Sequence, residues 1–146
     1  MNLFYLLKPK ATVVYLDKNA TLRSGLSAMR QHGYTAVPVI DESGEYIGTV
    51  SEGDFLWHVL ESPRLSGSFW DQCHVIDIVN EERNRPVKSD VGMEELLLRV
   101  MDQNFVPVVD DRSTFIGIIT RKAIIQYFYE KEKQQLSREK SDGVET

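Results

Sequence analysis

A short sequence motif occurs twice in this chain and limits the folds that it can adopt. Residues 37–41 read Val-Pro-Val-Ile-Asp and residues 106–110 read Val-Pro-Val-Val-Asp, and Gly48 and Gly117 follow at a fixed spacing of 69 positions, from 37 to 106 and from 48 to 117. A repeat of this length is one supersecondary unit used twice. The sequence therefore predicts two copies that pack against each other, with a cleft between two similar surfaces as the place of function.

The bulk properties limit the alternatives. A chain of 146 residues fits one compact body rather than two independent domains. Its formal net charge of −5 argues against non-specific nucleic-acid binding. Cys73 has no cysteine partner for a disulfide or a metal site, which favours a reducing, cytoplasmic location. The apolar residues 1–7 are too short to span a membrane and have no basic start, so no membrane or targeting role is expected.

Each copy has the same predicted order of strand, helix, strand, strand and helix, which indicates an α+β fold. In the first copy, Thr21 starts a helix that Gly33 ends, and Ser51 starts a second helix that Pro63 ends. The predicted strands are 12–16, 36–40 and 46–50 in the first copy and 86–88, 105–109 and 115–119 in the second. The helices of the second copy are predicted at 93–101 and from 123 to about 133.

These elements divide the chain into four parts. The first repeat with an N-terminal segment covers 1–62, a connector covers 63–77, the second repeat covers 78–133, and a tail covers 134–146. The N-terminal segment is predicted as a helical turn that stops at Lys8-Pro9, and a short helix is predicted at 71–79, across the end of the connector. The tail has no hydrophobic period and is predicted to be disordered.

The two copies are not identical. The first helices align with an offset of 71, whereas the hairpins align with 69, so the second copy is two residues shorter between helix and strand. Residues 33–35 of the first copy correspond to Asn104 alone in the second copy. Since this loop enters the Val-Pro-Val strand, the two halves of the cleft are expected to differ.

The doubled hydrophobic-Pro-Val-hydrophobic-Asp strand and the doubled Gly-x-x-Ser/Thr helix start resemble a tandem pair of cystathionine β-synthase (CBS) domains, also called a Bateman module. The resemblance covers Leu7 to Tyr129. It implies two β-α-β-β-α units packed with pseudo-twofold symmetry, adenosine-containing nucleotides in the clefts, no catalysis, and a homodimer. An adenine nucleotide would then be a regulatory ligand, with no cofactor or metal.

The family's phosphate and ribose motif, Gly-x-x-Ser/Thr-x-x-Asp, matches Gly48, Ser51 and Asp54. Ser51 at a helix N-terminus would offer free N–H groups to a phosphate, and Asp54 would accept bonds from ribose hydroxyls. The structural alternative is a capping box, in which Ser51 and Asp54 bond only to each other's backbone.

The second copy reads Gly117, Thr120 and Ala123, so the ribose-binding carboxylate is missing there. Arg121 and Lys122 lie in the first helical turn, where the helix dipole disfavours positive charge. They are either solvated surface charges or partners of a nearby anion. A phosphate-rich ligand, such as a cyclic dinucleotide or a nucleotide polyphosphate, would account for them.

The resemblance places the adenine pocket at the strand starts of both copies. Tyr34 or Phe105 would provide a flat wall, and the backbone of Ala36 would pair with the base; the alternative is that these are ordinary core and loop residues. By position the pocket residues are Thr12, Val13, Tyr34, Thr35 and Ala36 in the first copy, and Pro86, Val87, Asn104 and Phe105 in the second.

Other candidate chemistry is weak. The three histidines have no metal-ligand spacing, and adjacent Cys73 and His74 point apart without an oxyanion context. Trp57 and Trp70 are interpreted as packing or dimer anchors. The leading hypothesis is therefore a regulatory module read by an effector protein in trans. The alternative is a ligand-free dimerisation platform, and an enzyme would need a nucleophile and base that the sequence does not pair.

Overall fold

The computed structural model describes residues 3–62 and 69–144. The first repeat forms a three-stranded sheet in the order β2-β3-β4, in which β2 and β3 are parallel and β3 and β4 are antiparallel. Its elements are β2 (Leu16–Asp17), α1 (Leu22–His32), β3 (Ala36–Ile40), β4 (Tyr46–Ser51) and α2 (Glu52–Glu61).

The second repeat has the same order of elements. Its sheet runs β1-β7-β6-β5, where β1 (Lys8–Pro9) comes from the N-terminus of the chain. The other elements are β5 (Val87–Lys88), α4 (Met93–Asp102), β6 (Phe105–Val109), β7 (Phe115–Thr120) and α5 (Arg121–Val144). Between the repeats lie α3 (Phe69–Gln72) and a 3₁₀ turn at Val75–Asp77.

The two copies pack together, as the repeat predicted. Each repeat has its own buried cluster, and a third cluster combines residues of both hairpins. The hairpin turns also meet, because Phe115 N donates to Gly44 O (2.9 Å) and Tyr46 N to Ser113 O (3.3 Å). The α+β fold and the pseudo-twofold pairing are confirmed. The third cluster consists of Ile40, Tyr46, Phe105, Val109, Phe115 and Ile118.

The repeated Asp at the end of the Val-Pro-Val phrase organises the hairpin turn. Asp41 Oδ1 accepts bonds from Ser43 N (2.9 Å) and Glu45 N (2.9 Å), and Asp110 Oδ1 does the same for Arg112 N (2.9 Å) and Thr114 N (2.9 Å). A bond from the Ser43 hydroxyl, followed by the Glu45 amide, lowers the pKa of Asp41. This part of the phrase therefore serves the fold rather than a ligand.

The N-terminal segment, assigned from sequence to the first repeat, packs on the second. Leu3 and Leu6 are buried in the second repeat's core, and Lys8 and Pro9 pair with Ile118 and Gly117 of β7. Gly117 has φ +155°, and a Cβ there would overlap the Lys8 carbonyl oxygen. The glycine of the repeated motif thus allows a crossing chain to approach β7.

The segment before β5 makes the reciprocal crossing. Asn80, which lies at the start of the second repeat ahead of β5, exchanges two backbone bonds with Thr49 of β4 (3.2 and 3.1 Å). A Cβ on Gly48 would lie 2.7 Å from the Asn80 oxygen. Each repeat's last strand therefore pairs with the segment ahead of the other repeat's first strand.

Several predicted boundaries were wrong. The strand predicted at 12–16 is only Leu16–Asp17, because a 3₁₀ turn at Lys10–Thr12 holds the chain out of the ladder. The helix predicted at 71–79 is the short α3 followed by a 3₁₀ turn. Residues 63–68 of the predicted connector and 145–146 of the predicted tail lie outside the described residues.

The tail also differs from its prediction. Instead of disorder after 133, α5 continues to Val144 over 24 residues. Glu, Lys, Gln and Arg are good helix formers, so the helix continues without an apolar face. None of the described helices is long and apolar enough to cross a membrane.

Candidate functional site

The two repeats enclose a cavity of ≈ 230 Å³ between the start of β3, the start of β6 and the end of β7. We call it the open cleft. Its walls are mostly apolar, and the segment between β1 and β2 closes one side. The lining residues are Lys8, Val13, Val14, Tyr34, Thr35, Ala36, Val37, Pro38, Asn104, Phe105, Ile118 and Thr120.

Many of the residues predicted from the strand starts line this cavity. They come from both copies because β3 and β6 begin side by side across the pseudo-twofold axis. The predicted residues that meet here are Val13, Tyr34, Thr35, Ala36, Asn104, Phe105 and Thr120.

Other predicted residues do not line the open cleft. Thr12 is exposed and its hydroxyl donates to Pro9 O (2.9 Å), whereas Val87 is buried in the second repeat's core with Pro86 just before it. Arg121 lies one residue beyond the lining, at the start of α5. Ser51 and Asp54 are also outside the lining, although Ser51 pairs with Ala36 in the β3–β4 ladder; their contacts are described below.

Sequence reasoning missed five lining residues. Val14, Val37, Pro38 and Ile118 are apolar and gave no signal beyond a strand or core position. Lys8 is more informative, since its charge is brought to the cleft only by the pairing of β1 with β7. That pairing joins residues more than a hundred positions apart, and no local pattern announces it.

The N-terminus of α5 lies beside the open cleft. Thr120 caps it by accepting a bond from Ala123 N (3.1 Å). Arg121 is held against the second repeat, since its Nε donates to Val100 O (2.7 Å) and its backbone N to Asn104 O (2.8 Å). Within 3–62 and 69–144, no carboxylate forms an ion pair with Lys8, Arg121 or Lys122. Apolar walls thus meet uncompensated positive charge at a helix N-terminus.

Tyr34 stands at the rim of the open cleft. It is 40% exposed, and its ring stacks on His32 with centroids 6.2 Å apart. Phe105, from the other repeat, is buried at the cleft wall. The cleft therefore has one aromatic ring inside and one at its mouth.

The Gly-x-x-Ser motif of the first copy makes different contacts. Ser51 and Asp54 form the capping box, with Asp54 N donating to Ser51 Oγ (3.3 Å) and Ser51 N to Asp54 Oδ2 (2.8 Å). Arg83, which lies ahead of β5 in the second repeat, also donates to Asp54, with Nη1–Oδ2 at 2.5 Å and Nη2–Oδ1 at 3.3 Å. Both oxygens predicted to accept ribose hydroxyls therefore already have partners.

A buried polar network continues from Arg83. The Tyr46 hydroxyl lies 2.7 Å from Thr49 Oγ1 and donates to Asn84 O (2.7 Å), while Asn84 Nδ2 donates to Phe105 O (2.8 Å). Burial raises the pKa of Tyr46 to about 12, although the Thr49 bond and the Arg83 charge act in the opposite direction. We call this region, the pseudo-symmetric counterpart of the open cleft, the closed cleft.

The remaining candidates from the sequence were the two tryptophans and possible metal-ligating side chains. Trp70 packs against the first repeat's core, whereas Trp57 is 64% exposed on α2. Across the described parts of the chain, no group of three or more His, Cys, Asp or Glu side chains is placed to hold a metal ion.

The sequence matches the CBS domain model twice, at residues 9–61 and 77–130. The chain therefore belongs to the CBS domain family and carries a tandem pair of these domains.

The individual relatives share 30% of their residues or fewer with this chain over the matched regions. Cyclic di-AMP receptor B of Bacillus subtilis is 27% identical over 119 residues, which cover 78% of this chain and 77% of that protein. An uncharacterized protein of Methanopyrus kandleri is 30% identical over 100 residues, 67% of this chain, and the match spans only 48% of that protein's length. Among solved structures, CbpB in complex with c-di-AMP superposes with a TM-score of 0.88 at 23% identity, covering 94% of this chain and 91% of that one.

Proposed function

We propose that this chain is a regulatory module that binds an adenine nucleotide in the open cleft, with cyclic di-AMP as the first ligand to test. The observation that carries the proposal is the composition of that cleft, in which apolar walls adjoin an α5 N-terminus and cations that have no ion-pair partner among the described residues. A purine needs flat apolar walls, and a phosphate needs N–H donors and positive charge.

The residues divide by chemistry. The base would lie among Val13, Ala36 and Phe105, with Tyr34 covering it from the rim and the backbone at Thr35 and Ala36 available for its polar edge. The phosphate would lie towards Thr120, Arg121 and Lys8. Since Ala123 replaces the family's ribose-binding Asp, the cleft does not require a free ribose diol.

Two considerations favour a cyclic dinucleotide. Its riboses are tied into the ring through their 3′ oxygens, so it loses little where Asp is absent. The name of the Bacillus subtilis relative, Cyclic di-AMP receptor B, supports the same choice. The cavity of ≈ 230 Å³ is smaller than the roughly 300–1,000 Å³ typical of pockets that enclose a whole ligand. One adenosine would therefore be enclosed and the other would lie at the mouth.

The expected output is conformational rather than catalytic. The ligand would contact both repeats, so it would favour the arrangement in which both walls fit it, and only such a preference shifts an equilibrium. We place the module in the cytoplasm as a homodimer that an effector protein reads in trans. Exposed apolar side chains on α2 suit such contacts: Leu56 (58%), Trp57 (64%) and Leu60 (66%).

Calorimetric titration and thermal melting with cyclic di-AMP, AMP, ADP and ATP test this function, with cyclic di-GMP as the control for the base. A ligand at 100 times its Kd stabilises the folded state by about 2.7 kcal/mol, which raises the melting temperature by several degrees. The absence of heat and of a melting shift for every adenine compound would rule the proposal out.

A ligand-free dimerisation platform is the second candidate. It is favoured by one observation: neither motif offers a free carboxylate to ribose, because Asp54 is paired with Arg83 and its counterpart is Ala123. A stable dimer whose size and melting temperature respond to no nucleotide would support it.

A further inference from the structure

The Arg83–Asp54 ion pair is bidentate and largely buried, unlike a typical surface ion pair. The two-pronged arrangement fixes the guanidinium plane against the carboxylate. The Asp54 side chain is 15% exposed and that of Arg83 is 35% exposed. Solvent therefore screens this pair less than it screens Arg85–Glu82, whose side chains are 63% and 77% exposed.

The backbone around Arg83 is fastened to both repeats. Asn80 exchanges backbone bonds with Thr49 of the first repeat, and the Tyr46 hydroxyl donates to Asn84 O. The Asn84 side chain donates to Phe105 O of the second repeat. Residues 80–84 are thus held at both ends across the mouth of the closed cleft.

The backbone crossing has an equivalent at β1 and β7, but the polar side chains of the closed cleft have apolar counterparts in the second repeat and at Val13. At the spacing of 69 residues, the counterparts are Phe115 for Tyr46, Ile118 for Thr49 and Ala123 for Asp54. The strand pairing of Leu16 with Val39 and of Val87 with Val108 places Asn84 opposite Val13, which has no polar side-chain group. The polar side chains of the closed cleft are therefore hydrogen-bonded to one another and to the backbone, whereas the walls of the open cleft are mostly apolar.

We infer that residues 80–84 are a built-in plug that keeps nucleotides out of the closed cleft, and that Arg83 determines this selectivity by occupying Asp54. The inference rests on the proposed function in that it takes adenine nucleotides as the ligand class. A ribose approaching Asp54 must displace a charged two-pronged partner. Displacement would leave the half-buried guanidinium without its counterion, which opposes binding.

The test uses AMP, whose ribose carries both hydroxyls that a free Asp54 would bind. The background is Ala36→Phe, which puts the bulk of the equivalent Phe105 into the open cleft. Ala36→Phe alone should show no AMP binding by calorimetry. Adding Arg83→Ala should produce binding of one AMP per chain, at least about tenfold tighter than the weakest binding that the titration detects. Further substitution Asp54→Ala should abolish it.

Arg85→Ala in the same background is the matched control, since it removes a neighbouring arginine that pairs with exposed Glu82. It should leave AMP unbound. Arg83→Met, which keeps most of the side-chain volume without the charge, serves if Arg83→Ala fails to fold. AMP binding by Ala36→Phe with Arg83 intact, or no gain with either Arg83 variant, would overturn the inference.

Failure of the two proposals can be told apart. If the wild-type chain binds none of the adenine compounds but the Arg83 variants gain AMP, the plug is supported and the open-cleft function is wrong. If wild type binds in the open cleft and the Arg83 variants gain nothing, the plug is wrong and the proposed function stands.

Discussion

The open and closed clefts are built from two copies of the same motif, and they differ in the residues at equivalent positions and in the partners that these residues bond to. In the closed cleft, Asp54 bonds to Arg83 and the Tyr46 hydroxyl bonds to Asn84. In the second repeat, Phe115 and Ala123 occupy the equivalent positions, and the N-terminus of α5 lies beside the open cleft, which Thr120 lines. The comparison shows that two copies of one motif can differ in their contacts: in the first repeat the polar groups bond to one another, whereas in the second the helix start lies beside a cavity.

The largest expected effect comes from making the open cleft resemble the closed one. Ala36→Phe fills the cavity, so the affinity for cyclic di-AMP should fall on the order of 100-fold, measured by calorimetry. Ala11→Phe, at an exposed position outside the lining, is the control and should bind normally. Unchanged affinity in Ala36→Phe would mean that the ligand binds elsewhere.

The closed cleft should be sensitive to alkaline pH. The pKa of Tyr46 is raised from 10.0 to about 12, so the folded state holds this proton more tightly than the unfolded state. The associated stability is fully present below pH 10 and is lost as pH rises from 10 to 12. Two pKa units correspond to roughly 2–3 kcal/mol. Urea denaturation across this range should show the loss in wild type and a smaller loss in Tyr46→Phe.

Removing the Tyr46 hydroxyl, or adding a hydroxyl at the equivalent Phe115, should lower the free energy of unfolding. Tyr46→Phe leaves the buried Asn84 carbonyl without its donor and should cost about 1–2 kcal/mol at neutral pH. Phe115→Tyr adds a hydroxyl at a position that is 1% exposed and should also destabilise. Equal stability of Tyr46→Phe and wild type in urea would show that the network contributes nothing to the closed cleft.

The smallest expected difference separates the two helix caps. Ser51→Ala and Thr120→Ala each remove a side-chain cap and should each cost about 1 kcal/mol of stability. Only Thr120→Ala should also weaken cyclic di-AMP binding, by roughly fivefold, because only Thr120 lines the open cleft. Equal losses of affinity would contradict the assignment of one binding cleft.

Local patterns predicted much of this fold. The hairpins at 36–51 and 105–120 follow from β-branched runs with turn residues between them, and α1 follows from Thr21 and Gly33, which cap it. The doubled phrase predicted the pairing of the copies. Val13, Ala36 and Thr120 were found as candidates because the resemblance pointed to strand starts and helix starts.

The missed features depend on contacts distant in sequence. Lys8 reaches the open cleft only because β1 joins the second repeat's sheet, and Asp54 has a charged partner only because the segment before β5 brings Arg83 to it. Neither pairing has a local signature. The extension of α5 to Val144 was missed because a charged helix shows no hydrophobic period.

A crystal structure of the chain grown with cyclic di-AMP would show which cleft binds the ligand. We expect one ligand per chain in the open cleft, with a base against Val13 and Ala36, a phosphate beside Thr120 and Arg121, and the Arg83–Asp54 pair intact. A ligand bound in the closed cleft, with Arg83 displaced and the open cleft empty, would contradict this expectation.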